Sequence, residues 1–270
     1  MNTFLNIDKD KIDTLNKAYT ESVNAPFAHC IFDGLLTDDF AHKCKDDFLE
    51  ASKEAGRFVH YADPDFEFEK YTINKTDMMP ESLRILFEKL HSPEFVRVIE
   101  QITGIQKLHV DEGRWGGGLH MTRPSGYLAV HRDFSVLPTS FKDRKQFLRT
   151  INIIGYLLPE WQESWGGDLE LWNEEGTECV KKVAPTFNRW VIFDTRGTYH
   201  GHPLPYKGIY PRISIAAYYY QELEVDRSMW RSTEYLRLPW KEESSEYRQK
   251  RLDRANAELR YARIIQDSNK

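Results

Sequence analysis

Residues 126–134 read Gly126-Tyr127-Leu128-Ala129-Val130-His131-Arg132-Asp133-Phe134. Aromatic, aliphatic and β-branched residues after a glycine are typical of a short β-strand. Alternate side chains of a strand point to the same face, so His131 and Asp133 are expected to face one point. An imidazole and a carboxylate placed in this way predict part of a metal site.

A third ligand is available farther along the chain, in Thr198-Tyr199-His200-Gly201-His202. With His200, two imidazole nitrogens and one carboxylate would occupy one face of an octahedral ion and leave the other face open. That arrangement is typical of non-haem Fe(II) oxygenases. His202 is the alternative third ligand, because a regular strand would point both histidines to the same face.

The same spacing occurs a second time, in His109-Val110-Asp111, which also lies on a predicted strand. Spacing alone does not choose between the two pairs. The pair at His131 is favoured because four predicted strands separate it from His200, a glycine-rich turn precedes it, and Arg212 follows His200 after twelve residues. His109 and Asp111 are therefore interpreted as structural residues or as residues lining the site.

Composition limits the class of protein. The chain has 270 residues, a formal net charge of -5 and 40% hydrophobic residues, which suit a globular protein with a sizeable core. The acidic balance argues against nucleic acid as the main partner. The first residues lack the pattern of a signal peptide, no apolar run could span a membrane, and the three cysteines form no disulfide framework. We therefore expect a cytoplasmic protein without a membrane partner.

The hydrophobic period divides the chain into three zones. Residues 1–106 are predicted to be mainly helical, with helices from about 37, 81 and 92 and a short strand at 26–32. Residues 107–221 change to a period of two, with eight short strands and no helical crossovers, which predicts an antiparallel sandwich or jelly roll. Residues 222–270 predict a C-terminal helix from about 242 to 266. The fold class expected is mainly β with flanking helices, in one compact domain.

Six sequence blocks occur in one characteristic order between residues 119 and 220. They are Gly126–Phe134, Arg149–Pro159, Trp165–Trp172, Asn188–Asp194, Tyr199–Pro203 and Pro211–Ala216. In this order they resemble the Fe(II)/2-oxoglutarate-dependent dioxygenases, and most closely their prolyl 4-hydroxylase-like branch. The two ends of the chain carry no such resemblance.

The resemblance implies a double-stranded β-helix, a jelly roll of the cupin-like type, in which His131, Asp133 and His200 hold Fe(II). It implies that Arg212 binds the distal carboxylate of 2-oxoglutarate, since a guanidinium offers a planar fork of donors. Tyr156 and Ser214 are further candidates for binding this cosubstrate, and no catalytic residue is expected beyond the metal centre. O2 is the second cosubstrate, and ascorbate is a candidate cofactor. A carboxylate ligand at Asp133 favours hydroxylation over halogenation.

Three functions compete on this basis. The first is a peptidyl, prolyl 4-hydroxylase-like hydroxylase acting on a protein, and the second is an oxygenase for a free amino acid, a sugar or a secondary metabolite. The third is a cupin-like protein that binds metal without catalysis and has no need of Arg212. Cations near the predicted site, Arg114 and Arg123 beside Trp115-Gly116-Gly117-Gly118 and Arg144 in the loop 135–147, suggest an acidic substrate. The sequence leaves the oligomeric state open.

Overall fold

The computed structural model describes residues 4–137, 146–223 and 230–267. Five α-helices lie in this part of the chain: α1 (Lys9–Glu21), α2 (Asp38–Ala51), α3 (Glu81–Leu90), α4 (Pro93–Thr103) and α5 (Ser245–Asp267). The first seven of its strands are β1 (His29–Asp33), β2 (Val59–Asp63), β3 (Glu67–Ile73), β4 (Leu108–Val110), β5 (Gly118–Arg132), β6 (Gln146–Tyr156) and β7 (Leu169–Trp172). The others are β8 (Cys179–Val183), β9 (Arg189–Asp194), β10 (Tyr199–His202), β11 (Arg212–Leu223) and β12 (Glu234–Tyr235).

The long strand β5 joins two antiparallel four-stranded layers. Its first part pairs with β11, from Gly118 opposite Ala216 to Thr122 opposite Arg212, and continues the layer β9-β6-β11-β5. Its second part pairs with β10 and continues the layer β5-β10-β7-β8. Two antiparallel four-stranded sheets that are joined through one long strand, here β5, form a double-stranded β-helix. The predicted fold class is therefore confirmed.

The alternation of side chains along β11 separates the core from the cavity. Ile213, Ile215, Ala217 and Tyr219 are buried on one face, in the main hydrophobic cluster. This cluster also holds the apolar faces of α3 and α4, which include Leu83, Leu86, Leu90, Phe95 and Ile99. Arg212, Ser214, Ala216 and Tyr218 project from the other face into a cavity between the two layers. The helices thus cover one face of the larger layer and leave the opposite face free to build a site.

The segment 1–106, predicted as a helical support layer, also supplies strands to the sheet. The predicted strand at 26–32 is observed as β1, which pairs with β9, but the hairpin β2–β3 was not predicted. β3 pairs with both parts of β5, so it closes one side of the cavity. The hairpin gave little sequence signal because most side chains of β2 and β3 are exposed or only half-buried and are often charged.

The C-terminal segment after residue 222 contains the predicted helix, observed as α5, together with the short strand β12. β12 pairs with β5, where Tyr235 lies opposite His131. Acidic residues of the β2–β3 hairpin face basic residues of the C-terminal segment, and Lys250 contacts both Asp63 and Asp65. None of the helices in the described ranges is long and apolar enough to cross a bilayer.

We expect Gly155→Ala to destabilise the fold. Gly155 lies opposite the fully buried Trp190, and an added Cβ would lie 2.5 Å from the indole ring. Overpacking of this kind costs about 1–3 kcal/mol, measured as a lower free energy of unfolding in urea. If the ring is the cause, Gly155→Ala combined with Trp190→Phe will cost less than the sum of the two single changes. Strict additivity would contradict this explanation.

Candidate metal centre and cosubstrate pocket

Two predicted ligands stand at the end of β5 and the third on the neighbouring strand. His131 and His200 are directly opposite each other in the β5–β10 pair, with ring centroids 4.6 Å apart. Asp133 follows two residues after His131, and each of the three residues offers a ligand atom within 4.8 Å of the others. All three side chains are buried. The structure therefore brings together the three residues that the sequence singles out.

A hydrogen bond orients one imidazole, and burial keeps the other neutral. His131 Nδ1 lies 3.0 Å from the carbonyl oxygen of Ala129, and because a carbonyl only accepts, Nδ1 is the donor and Nε2 faces Asp133 Oδ1 at 3.6 Å. Burial and the neighbouring His131 lower the pKa of His200 to about 4, so its ring is neutral near pH 7.

Asp133 is the anionic member of the group. Burial would raise the pKa of Asp133, but the neighbouring Arg149 guanidinium outweighs burial and holds that pKa well below its usual range. Its Oδ2 atom is buried and has no hydrogen-bond partner among the described residues. An orphaned carboxylate oxygen beside two imidazoles is costly unless a cation completes the site. The donor set and this orphaned atom fit Fe(II) bound by two histidines and one carboxylate.

Arg212 lies in the same cavity as the three candidate ligands. It is buried, its Nε donates to the carbonyl oxygen of Gly167 at 2.6 Å, and its Nη2 donates to the Tyr156 hydroxyl at 3.3 Å. In the described part of the chain it forms no salt bridge with a carboxylate, so its buried charge requires an anion from outside the protein. Ser214 is paired with Tyr156 and lines the same wall. This wall fits the distal carboxylate of 2-oxoglutarate.

The rival ligand His202 does not join the metal group. It pairs with Leu128, whereas His200 pairs with His131, so three residues of β10 lie opposite four residues of β5, and the extra residue of this β-bulge is on β5. His202 is not among the described residues whose ligand atoms lie within 4.8 Å of one another. His202 is buried, lines the cavity and has a pKa well below its usual value because of burial and the nearby Arg212. It remains a neutral cavity residue beside the three.

The other His-x-Asp pair also lies apart from the metal group. His109 is half-exposed and packs edge-to-face against Phe147, with ring centroids 5.0 Å apart. Asp111 is buried and accepts a hydrogen bond from the Tyr220 hydroxyl at 3.4 Å. The interpretation of this pair as structural agrees with these contacts.

Several cavity residues were not identified from the sequence. The cavity has a volume of about 310 Å³, and the missed residues that line it include Lys70, His120, Arg149, Tyr235 and Arg254. His120 is half-buried, and desolvation together with the nearby Lys70 lowers its pKa to about 3. A sequence signal for Arg149 existed, because it is the one charged residue in the otherwise uncharged strand β6.

Of the residues predicted to form the rim of the site, Arg114, Trp115 and Arg123 lie in the described part of the chain. Trp115, Gly116 and Gly117 line the cavity, and the Trp115 side chain is 42% exposed. Arg123 instead stacks on the Tyr71 ring at 4.5 Å and is absent from the cavity wall, so its predicted role at the rim is not supported. Arg114 binds the carbonyl oxygen of Asn74 and the hydroxyl of Thr76. Arg144 lies outside the described residues.

Comparison with known proteins agrees with this geometry. Residues 115–220 match the family model of the 2OG-Fe(II) oxygenase superfamily. A prolyl hydroxylase from Trichoplax adhaerens, solved with a peptide fragment of the hypoxia inducible factor oxygen degradation domain, has a TM-score of 0.55 and 16% identity. The match covers 80% of this chain and 94% of that one.

Two further solved structures share the fold. A Pseudomonas putida prolyl-4-hydroxylase has a TM-score of 0.53 at 16% identity and covers 77% of this chain and 99% of its own. The non-heme alpha ketoglutarate dependent epimerase SnoN from nogalamycin biosynthesis has a TM-score of 0.53 at 13% identity. The match covers 86% of this chain and 88% of that one. No curated protein sequence matched the chain.

The fold, the three converging ligands and the family match define an iron-dependent oxygenase. Residues 115–220, which contain the three converging ligands, match the 2OG-Fe(II) oxygenase superfamily, a family that uses Fe(II), 2-oxoglutarate and O2. The protein is thus a 2-oxoglutarate-dependent enzyme, as the resemblance implied.

Proposed function

We propose that the protein is a hydroxylase in which His131, Asp133 and His200 bind Fe(II), and Arg212, Tyr156 and Ser214 bind 2-oxoglutarate. The observation that carries the proposal is the convergence of three buried ligand side chains in one cavity with a buried arginine that has no carboxylate partner among the residues the structure describes. When bound, Fe(II), 2-oxoglutarate and O2 supply the oxidation of an unactivated C–H bond, with release of succinate and CO2.

The chain's own residues bind, orient and protect the reactants. The Arg212 guanidinium and the Tyr156 hydroxyl would hold the distal carboxylate by charge-assisted hydrogen bonds, which fixes the orientation of the cosubstrate. The Ala129 carbonyl fixes the ring of His131. Burial of all these groups excludes bulk water from the site and strengthens each charged contact.

The substrate we propose first is a prolyl residue of a peptide. Support comes from the fold shared with two prolyl hydroxylases, one of them solved with a peptide, and from the exposed Trp115 at the cavity rim, which offers an aromatic surface to a bound chain. The second candidate is a small molecule. This candidate is favoured by the shape of the cavity, because a small substrate needs an enclosed pocket. The cavity wall consists largely of buried side chains from both sheet layers, and Arg254 of α5 also lines it.

We further propose that residues 1–106, 107–221 and 222–270 are parts of one compact domain, because β1, β3 and β12 all pair with strands of the core. The cytoplasm is the proposed compartment, supported by the free thiols of Cys30, Cys44 and Cys179.

The proposal is tested by anaerobic titration with Fe(II) and 2-oxoglutarate, followed by a substrate screen that measures succinate. We expect one equivalent of each to bind, and succinate release to depend on both and on O2. Proline-containing peptides and free amino acids form the two arms of the screen. Stimulation by a peptide supports the first substrate class, and stimulation by free compounds alone supports the second. A protein that binds neither Fe(II) nor 2-oxoglutarate would contradict the proposed function.

A further inference from the structure

Arg149 is a buried cation in direct contact with a proposed metal ligand. It lies on β6, and its Nη1 is 3.2 Å from Asp133 Oδ1. Its guanidinium carbon lies over the rings of Phe134 and Tyr218, 3.6 Å and 3.8 Å from their centroids. Two cation–π contacts and an ion pair restrict the rotation of this group.

Two further contacts fix the guanidinium from its other edges. Its Nε donates to the Tyr220 hydroxyl at 3.0 Å, and Tyr220 donates in turn to Asp111 Oδ2. Its Nη2 donates to the carbonyl oxygen of Trp115. At Gly116, where φ is +81°, a Cβ would lie 3.3 Å from Nη2, so the rim segment fits closely around the arginine. Asp111 thereby anchors the far end of a hydrogen-bonded chain that reaches Asp133.

The two oxygens of Asp133 have different surroundings. Each oxygen lies near one imidazole, Oδ1 at 3.6 Å from His131 Nε2 and Oδ2 at 3.8 Å from His200 Nε2. Only Oδ1 is also paired with Arg149, whereas Oδ2 is buried and has no hydrogen-bond partner among the described residues. We propose that Arg149 is a positioning residue that occupies Oδ1, so that Asp133 offers only Oδ2 to the metal. This inference rests on the proposed function, in which Asp133 is a ligand.

The number of oxygens that Asp133 offers to the metal determines how many coordination positions remain free. An octahedral ion with three protein ligands keeps three positions, of which a chelating 2-oxo acid takes two and O2 takes one. A carboxylate that bound through both oxygens would use one of these positions and compete with the chelate. By holding Oδ1, Arg149 keeps all three positions free, so its removal should weaken 2-oxoglutarate binding more than metal binding.

The test compares Arg149→Lys and Tyr220→Phe with wild type, using Co(II) as the metal. Calorimetry gives the Co(II) affinity and then the 2-oxoglutarate affinity of the Co(II)-loaded protein, and visible absorption reports the coordination of Co(II). For Arg149→Lys we expect the 2-oxoglutarate affinity to fall by about tenfold or more while the Co(II) affinity changes by less than about threefold. Tyr220→Phe removes the hydrogen bond at Arg149 Nε and the link to Asp111 but keeps the guanidinium, so it should shift both readouts in the same direction by less.

Arg189→Lys is the matched control, because Arg189 forms a bidentate ion pair with Asp33 on β1, at the far edge of the same sheet layer. It should leave both affinities and the absorption spectrum unchanged. Unchanged 2-oxoglutarate affinity and an unchanged spectrum in Arg149→Lys, or in Tyr220→Phe if the lysine variant does not fold, would overturn the inference. Failure of the wild-type protein to bind Co(II) or Fe(II) would instead contradict the proposed function.

Discussion

Replacing Arg212 with alanine is expected to abolish 2-oxoglutarate turnover while the protein still folds and binds metal. The guanidinium is buried in the cavity beside Tyr156, and its loss removes both the charge and the fork of donors for the distal carboxylate. Truncating one partner of a buried charge pair costs several kcal/mol, so the 2-oxoglutarate affinity of the metal-loaded protein should fall by about 100-fold or more. Calorimetry and succinate release measure the two effects.

Arg212→Ala also distinguishes a 2-oxoglutarate-dependent enzyme from a protein that binds metal without catalysis. A binding protein has no use for Arg212, so Arg212→Ala would then leave its properties unchanged. Arg212→Lys keeps the charge without the planar fork and should retain part of the affinity. Arg189→Ala, which removes a surface arginine from the same sheet layer, should change neither readout. Normal 2-oxoglutarate binding by Arg212→Ala would contradict the proposed cosubstrate pocket.

The strands of the core could be predicted from sequence because most of them have at least one buried face. On β11, apolar residues that pack on the helices alternate with residues that face the cavity, and this produces a clear period of two. The β2–β3 hairpin has no such pattern, since it is a peripheral addition stabilised by pairing with β5 and by charged contacts with the C-terminal segment. Tertiary partners of that kind leave little trace in local sequence.

The site shows the same division between local and distant information. His131 and Asp133 share a strand, so their common orientation follows from the period of that strand. The choice of His200 over His202 depends on which histidine lies opposite His131 on the neighbouring strand, and spacing along one strand does not reveal that pairing. Arg149 was missed because its partners Asp133, Tyr220 and Trp115 come from three separate segments. Only the folded chain shows that they meet at one guanidinium.

Two histidines on one strand provide the sharpest test of the metal centre. His200→Ala is expected to lower the Co(II) affinity by about 100-fold or more, because each ligand of such a site supplies a few kcal/mol of binding free energy. His202→Ala removes an equally buried imidazole two residues away. It should leave the Co(II) affinity within about threefold of wild type, because His202 lies outside the group of converging ligand atoms.

The pair of variants controls for the loss of a buried imidazole, which is common to both. Equal thermal stability of the two metal-free proteins would show that any difference in affinity arises at the metal. If His202→Ala abolishes Co(II) binding and His200→Ala does not, His202 and not His200 is the third ligand. If both retain binding, the ion is held elsewhere, and the orphaned oxygen of Asp133 requires another partner.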